Sequence, residues 1–187
     1  MDEEAHLIEA ALDGDSAAFG ELVTRHQDRL YNSLVHVVGC TDEAYDVVQD
    51  ALVQAFLKLS TFRRTSAFYT WLYRIAFNLA ITRRRRHKPS TSIEQRREST
   101  GSEPLDSAGG PSDRIEQRER AEQVQAALAV LSEEHRAILV LREIDGRRYE
   151  TIGEILDLPV GTVRSRLHRA RLQLRDHLKV VLQEDVK

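Results

Sequence analysis

The segment YETIGEILDLPVGTVRSRLHRARLQLR, residues 149–175, joins a short apolar-periodic stretch to a run holding five arginines in its last twelve residues. Between the two stands Asp157-Leu158-Pro159. Tyr149 to Leu156 has helical spacing, with Ile152, Ile155 and Leu156 on an inward face. Pro159 lacks an N–H and its ring clashes with the preceding turn, so the chain must break near Asp157 and restart as a helix near Val160-Gly161. Two helices across a tight turn make a helix-turn-helix, whose second member enters the DNA major groove.

That second helix carries two faces. Val163, Leu167, Ala170, Leu174 and Leu178 recur at steps of three and four residues and form an inward stripe. Arg164, His168, Arg171 and Arg175 recur in the same way on another side, with Ser165 and Arg169 beside them. A groove-inserted helix needs this division, because projecting side chains read base edges while flanking arginines hold phosphates.

Charge is unevenly spread around this segment. The net charge is −3, yet residues 1–50 hold twelve acids against two arginines, Arg25 and Arg29. Residues 51–88 hold nine Lys/Arg and no acid, and residues 158–181 hold six Lys/Arg against Asp176 alone. Two basic stretches in an otherwise acidic chain imply a polyanion touched at two places, with an acidic surface left for another partner.

Composition narrows the class. The 187 residues suit one medium domain or two small ones, and 41% hydrophobic with 30% charged residues fits a helical globular protein. The single cysteine, Cys40, excludes an internal disulfide framework and a multi-cysteine metal site. No apolar run approaches the ~18 residues of a membrane span, and Met1-Asp2-Glu3-Glu4 is unlike a basic signal sequence. The expected location is the cytoplasm, with no membrane insertion.

Residues 89–112, PSTSIEQRRESTGSEPLDSAGGPS, are rich in Ser, Gly, Pro and Thr and read as a flexible linker. Both flanks read as helical, so the expected fold is all-α: two small helical domains, residues 1–88 and 113–187, the second containing the helix-turn-helix. In the first, a helix from Glu3 to Leu12 stops at Asp13-Gly14. A second, capped by Asp15 or Ser16, carries Phe19, Leu22, Val23, Leu30, Leu34 and Val37, and ends at Gly39. A third, capped by Thr41 or Asp42, carries Val47, Val48, Ala51, Leu52, Ala55, Phe56 and Leu59. Ser66 can cap a fourth, whose core stripe is Phe68, Trp71, Leu72, Ile75, Ala76 and Leu79. After the linker, Ser112 or Asp113 with Glu116 marks a helix to about Val130. Ser132 starts another through Arg142, and Asp145-Gly146 turns the chain.

The fourth helix has a second face on which Arg74, Asn78, Ile81 and Arg85 recur, with Arg83, Arg84, Arg86 and Lys88 crowding its end. Cations favour a helix C-terminus on dipole grounds, but four consecutive arginines exceed what capping needs. Phosphate contact explains the excess, and an amide such as Asn78 can bond a base edge.

SAFYTWLYRIAFNLAI (residues 66–81) and YETIGEILDLPVGTVRSRLHRAR (residues 149–171) resemble the two signature segments of bacterial sigma-70-type sigma factors, in the small two-domain group called extracytoplasmic-function sigma factors. DEAYDVVQDALVQAF (residues 42–56) is similar to that family's polymerase-clamp-binding helix. The resemblance implies a subunit that binds core RNA polymerase, at the beta-prime clamp and beta flap, and directs promoter recognition, melting and initiation. Asp46, Gln49 and Asp50 match the clamp-docking positions. Loop 62–68, with Phe62, Arg63 and Phe68, matches with Asn78 the part that captures a flipped base of the minus-ten element, and Arg74, Arg83, Arg84 and Arg85 match positions near its backbone. Arg164, Ser165, His168 and Arg169, with Thr162 and Arg171 beside them, match the minus-thirty-five contacts. No cofactor, metal or catalytic residue is implied, and an anti-sigma protein is the family's usual partner. Many relatives carry Gly and an acid where Arg64-Thr65 stand here.

A stand-alone helix-turn-helix regulator is the alternative, but it leaves the clamp-like helix and the arginine run unexplained. An enzyme is weaker still: the seven histidines form no His-x-x-x-His pair and there is no Gly-rich phosphate loop.

Overall fold

A computed structural model describes residues 3–86 and 111–184, and among these every regular element is helical. The N-terminal half comprises α1 (Glu3–Leu12), α2 (Ser16–Val38), α3 (Thr41–Leu57), a 3-10 turn (Leu59–Thr61) and α4 (Phe68–Arg86). The C-terminal half comprises α5 (Pro111–Ala129), α6 (Glu133–Leu139) continued by a π-turn (Val140–Ile144), α7 (Tyr149–Leu156) and α8 (Val160–Glu184). The expected linker lies mostly outside the described residues, and its last two residues already belong to α5.

Local chemistry sets most helix ends. Asp15 caps α2 by accepting from the Ala17 and Ala18 amides at 2.8 and 3.3 Å. Gly39 ends it at φ 82°, a left-handed conformation that glycine adopts without strain, and its N–H reaches Val35 O at 2.8 Å. The expected Thr41 or Asp42 cap of α3 is corrected: Cys40 is the cap residue and makes no side-chain cap bond, so Thr41 is already helical. Ser132 caps α6 as expected, accepting from the His135 amide. The helix it opens loosens into the π-turn at Val140, where Asp145 N bonds Val140 O at 3.0 Å.

Leu22, Leu30, Leu34, Val47, Ala51 and Leu72 are fully enclosed where α2, α3 and α4 meet. Ile138, Leu141, Ile152, Val163, Leu167 and Ala170 do the same for the C-terminal half. The inward stripe of α8 fades toward its end: Leu174 is half-buried and Leu178 exposed, because α8 runs past the elements it packs on.

The halves also pack on each other. Arg136, a buried cation, donates to the Leu128, Ala129 and Leu131 carbonyls at the end of α5, at 2.9, 3.2 and 3.4 Å. A positive charge is favourable on those partly negative groups. Its remaining nitrogen reaches across to Val37 O of α2 at 3.5 Å. Gln125 Nε2 lies 3.0 Å from His36 Nδ1 on the same seam.

Candidate nucleic-acid interface

The helix-turn-helix is built on one tight turn. Asp157 takes φ 54°, and the Leu158 amide returns to Gly153 O at 2.9 Å. Val163 N bonds Pro159 O at 3.0 Å, so α8 starts where the proline requires. Val163 and Leu167 seat α8 on Ile152 and Ile155 of α7, leaving Arg164, Ser165, His168, Arg169 and Arg171 exposed and Thr162 half-exposed. Ser165 Oγ donates to Thr162 O at 3.1 Å. Two guanidiniums lie over the Tyr149 ring, Arg142 at 5.0 Å and Arg164 at 5.9 Å from its centroid.

The arginines of α8 are not equivalent. Arg171 grips Glu143 through Nε at 3.0 Å and Nη2 at 2.5 Å, and that carboxylate raises its pKa above the ordinary arginine value. Arg166 pairs with Glu134 at 2.7 Å and Arg175 with Asp176 at 2.9 Å. Such exposed pairs contribute roughly 0–1 kcal/mol, so they can exchange for phosphate.

On α4, Arg74 and Asn78 lie one turn apart and both are exposed. The Asn78 amide makes no hydrogen bond among the described residues, so it is free to donate and accept. The loop before α4 is anchored by aromatic rings. Phe62 and Phe68 meet edge-on at 5.7 Å with Trp71 against both at 5.2 and 5.7 Å, and Phe68 is 1% exposed. These phenylalanines, expected at the promoter, shape the loop from within; Arg63 projects from it. Trp71 is half-buried and lines an open cavity of about 700 Å³ together with Arg63, Thr65, Arg74, Glu154 and Asp157. Arg64 adopts φ 56° and is tied to Glu9 of α1 at 2.8 Å. An ion pair thus steadies a backbone conformation that glycine adopts freely.

The arginine run does not form one surface. Arg83 turns back to α3, 3.5 Å from Asp46 Oδ2 and hydrogen-bonded to Asp50. Arg84 turns to the C-terminal half, with Nε 3.4 Å from Glu133. Helix packing sets both directions: α3 lies against one flank of α4 and the start of α6 near the other. The Arg85 side chain lies outside what the structure describes.

Asp46, Gln49 and Asp50 are exposed together on α3. Beside them Tyr45, Val53 and Leu57 are also exposed, Val53 by 60% and Leu57 by 73%. Tyr45, Gln49, Val53 and Leu57 recur every fourth residue, with Asp46 and Asp50 one position on from the first two, so this mixed apolar and acidic face follows from helical spacing. Apolar side chains clustered at that exposure suit a protein partner.

An all-helical chain with one helix-turn-helix, a second basic helix face and an apolar-acidic helix face has the parts of a promoter-recognition subunit. The family model for Sigma-70 region 2 matches residues 22–89, and that for Sigma-70, region 4, matches residues 121–174. The "ECF RNA polymerase sigma factor SigW" of Bacillus subtilis is 36% identical over 173 residues, 89% of this chain and 91% of that one. The "ECF RNA polymerase sigma-E factor" of Escherichia coli K12 is 40% identical over 172 residues, 88% of each. Among solved structures, that of CnrH in complex with the cytosolic domain of CnrY superimposes with a TM-score of 0.71 at 27% identity, covering 96% of this chain and 99% of CnrH. The chain belongs to the sigma-70 family, in its extracytoplasmic-function group, and serves transcription initiation as a sigma factor. No described helix is long and apolar enough to cross a membrane.

Proposed function

We propose that this sigma factor works in the cytoplasm, with no catalysis of its own, through three separate surfaces. Residues 1–88 form the domain that holds core polymerase and the minus-ten element, residues 89–112 the linker, and residues 113–187 the minus-thirty-five domain. Asp46, Gln49 and Asp50 dock on the beta-prime clamp. The loop residue Arg63 with Arg74 and Asn78 receives the minus-ten strand, while Phe62 and Phe68 hold the loop's shape. Thr162, Arg164, Ser165, His168 and Arg169 face the minus-thirty-five element, and the C-terminal half also meets the beta flap. An anti-sigma protein regulates the chain; the capture of CnrH with a second protein supports a partner of that kind. The observation that carries this reading is the separation of faces: exposed polar and basic side chains on α4 and α8, acids with apolar neighbours on α3.

Replacing Asp50 tests the α3 surface. Arginine there sets a cation beside Arg83 and presents the wrong charge to a basic partner, so core-polymerase affinity should fall by about tenfold or more. Circular dichroism should be unchanged, since Asp50 is exposed. Unchanged retention of core polymerase in a pull-down would remove α3 from the interface.

Asn78→Ala tests the α4 surface. Unstacking a base costs a few kcal/mol, which contacts in the receiving site must offset. The variant should lose promoter opening, seen as weaker permanganate reactivity of the melted strand, while core binding stays at the wild-type level. Equal reactivity in the two proteins would exclude Asn78 from strand capture.

A further inference from the structure

Helix α1 supplies no residue to the three surfaces above, yet it holds a loop that opens onto one of them. Residues 63–67 run between two closed turns. Before them the Phe62 amide reaches Leu59 O at 2.9 Å, and after them the Trp71 amide reaches Ala67 O at 3.2 Å. In between, no backbone hydrogen bond ties residues 63–66 among the described residues. Arg64 stands in the middle at φ 56°; Asp157 is the other non-glycine residue with positive φ among those described. A side chain crowds the backbone in that conformation. Asp157 is fixed there by the bond from the Leu158 amide to Gly153 O, and Arg64 lacks such a bond.

What holds Arg64 is a side chain from another helix. Its Nη1 donates to Glu9 Oε1 at 2.8 Å. Glu9 follows Ile8, whose buried side chain seats α1 on the core, so the carboxylate is offered from a fixed support. The hydrogen bond from Arg64 and its charge hold the Glu9 carboxyl below the usual carboxylate range, which keeps it an ionised acceptor at neutral pH. The consequence falls on the neighbours. Arg63 and Thr65 both line the cavity of about 700 Å³ that they share with Trp71 and Arg74, whereas Arg64 is not part of its wall. Drawing Arg64 out toward α1 leaves the two flanking side chains on the cavity side. A relaxed φ at Arg64 would turn one flank against the other, because each residue has only two soft backbone dihedrals to absorb the change.

We infer that Glu9 is a positioning residue for promoter opening, acting through Arg64 to hold Arg63 and Thr65 toward the incoming minus-ten strand. Glu9 itself touches no DNA. The inference rests on the assignment of this loop to the minus-ten strand, so the test reads the loop and the promoter separately.

The experiment compares the full chain as wild type, Glu9→Ala, Arg64→Gly and the double variant. Glycine adopts positive φ freely, so in Arg64→Gly the loop keeps its path without Glu9. Trp71 is the chain's one tryptophan, half-buried, with its ring 5.2 Å from that of Phe62 at the start of the loop. Its fluorescence therefore reports the loop without DNA. Acrylamide quenching of Trp71 should rise in Glu9→Ala, and the double variant should match Arg64→Gly. On a double-stranded promoter recovered by run-off selection, holoenzyme carrying Glu9→Ala should show roughly threefold weaker permanganate reactivity of the melted strand, within the range of an exposed ion pair. Adding Glu9→Ala to Arg64→Gly should cost nothing further. Loss of a carboxylate near DNA strengthens binding by charge alone, so a fall in opening is not a charge effect. Circular dichroism should match wild type throughout, since both side chains are exposed. Unchanged quenching in Glu9→Ala, or a loss of opening that persists when Glu9→Ala is added to Arg64→Gly, overturns the inference. A quenching change suppressed by Arg64→Gly, with full opening in every variant, overturns the minus-ten assignment of the loop and leaves Glu9 as its holder.

Discussion

Gly153→Ala should destabilise the C-terminal half by about 2–3 kcal/mol and abolish minus-thirty-five binding. A Cβ at that position would lie 2.7 Å from the Leu158 carbonyl oxygen, a backbone atom that cannot turn aside. The same two residues exchange the bond that closes the turn, Leu158 N to Gly153 O at 2.9 Å. A methyl group therefore pushes the turn open and tilts α8 away from α7, exposing Val163 and Leu167. Gly161→Ala is the matched control: nothing lies within 4 Å of its Cβ, and alanine in a helix is favoured by about 0.5–1 kcal/mol. Urea denaturation followed by circular dichroism measures both. Equal midpoints for the two variants would mean that the turn does not have this geometry.

Arg164→Ala should relax base preference at one or two positions of the minus-thirty-five element, a loss of ~1–3 kcal/mol in discrimination. Arg164 stands in the first turn and a half of α8, where side chains reach base edges, and its guanidinium lies over the Tyr149 ring. Arg171 differs. Two of its nitrogens donate to one oxygen of Glu143, which partly neutralises it, so Arg171→Ala should weaken binding to all sequences alike with a small change in salt slope. Glu143→Ala, by freeing that guanidinium, should strengthen binding uniformly and steepen the slope. Selection from a randomised element, repeated at several salt concentrations, distinguishes these patterns. A uniform loss of affinity for Arg164→Ala would place the reading face elsewhere on α8.

The helix-turn-helix was legible because its determinants are local. Pro159 forbids one continuous helix, and the apolar spacing of Val163, Leu167 and Ala170 assigns the inward face without knowledge of what covers it. The same holds for Asp15 and Gly39, whose capping bonds span only a few residues. The destinations of Arg83 and Arg84 were not legible: a run of four arginines shows charge, but the partner of each depends on how α3 and α6 lie against α4. Arg136 is a similar case. Nothing near it marks a buried cation, since its acceptors at the end of α5 come close only when α5 and α6 fold back on each other. Asp145 read correctly as a turn residue, yet its carboxylate accepts from Ser33 Oγ, 112 positions away in sequence. Phe68 was legible as part of the core stripe of α4, but Phe62 was not legible as a buried anchor, because an aromatic side chain in a loop serves stacking on bases and packing in cores equally well.

Run-off transcription with core RNA polymerase on a promoter library tests the central claim, that this chain confers promoter-specific initiation. Core enzyme alone should give no specific transcript, and core with the purified chain should initiate at a defined subset sharing a minus-thirty-five and a minus-ten sequence. Binding to those sequences without any initiation on core enzyme would contradict the account and leave a stand-alone helix-turn-helix regulator in its place.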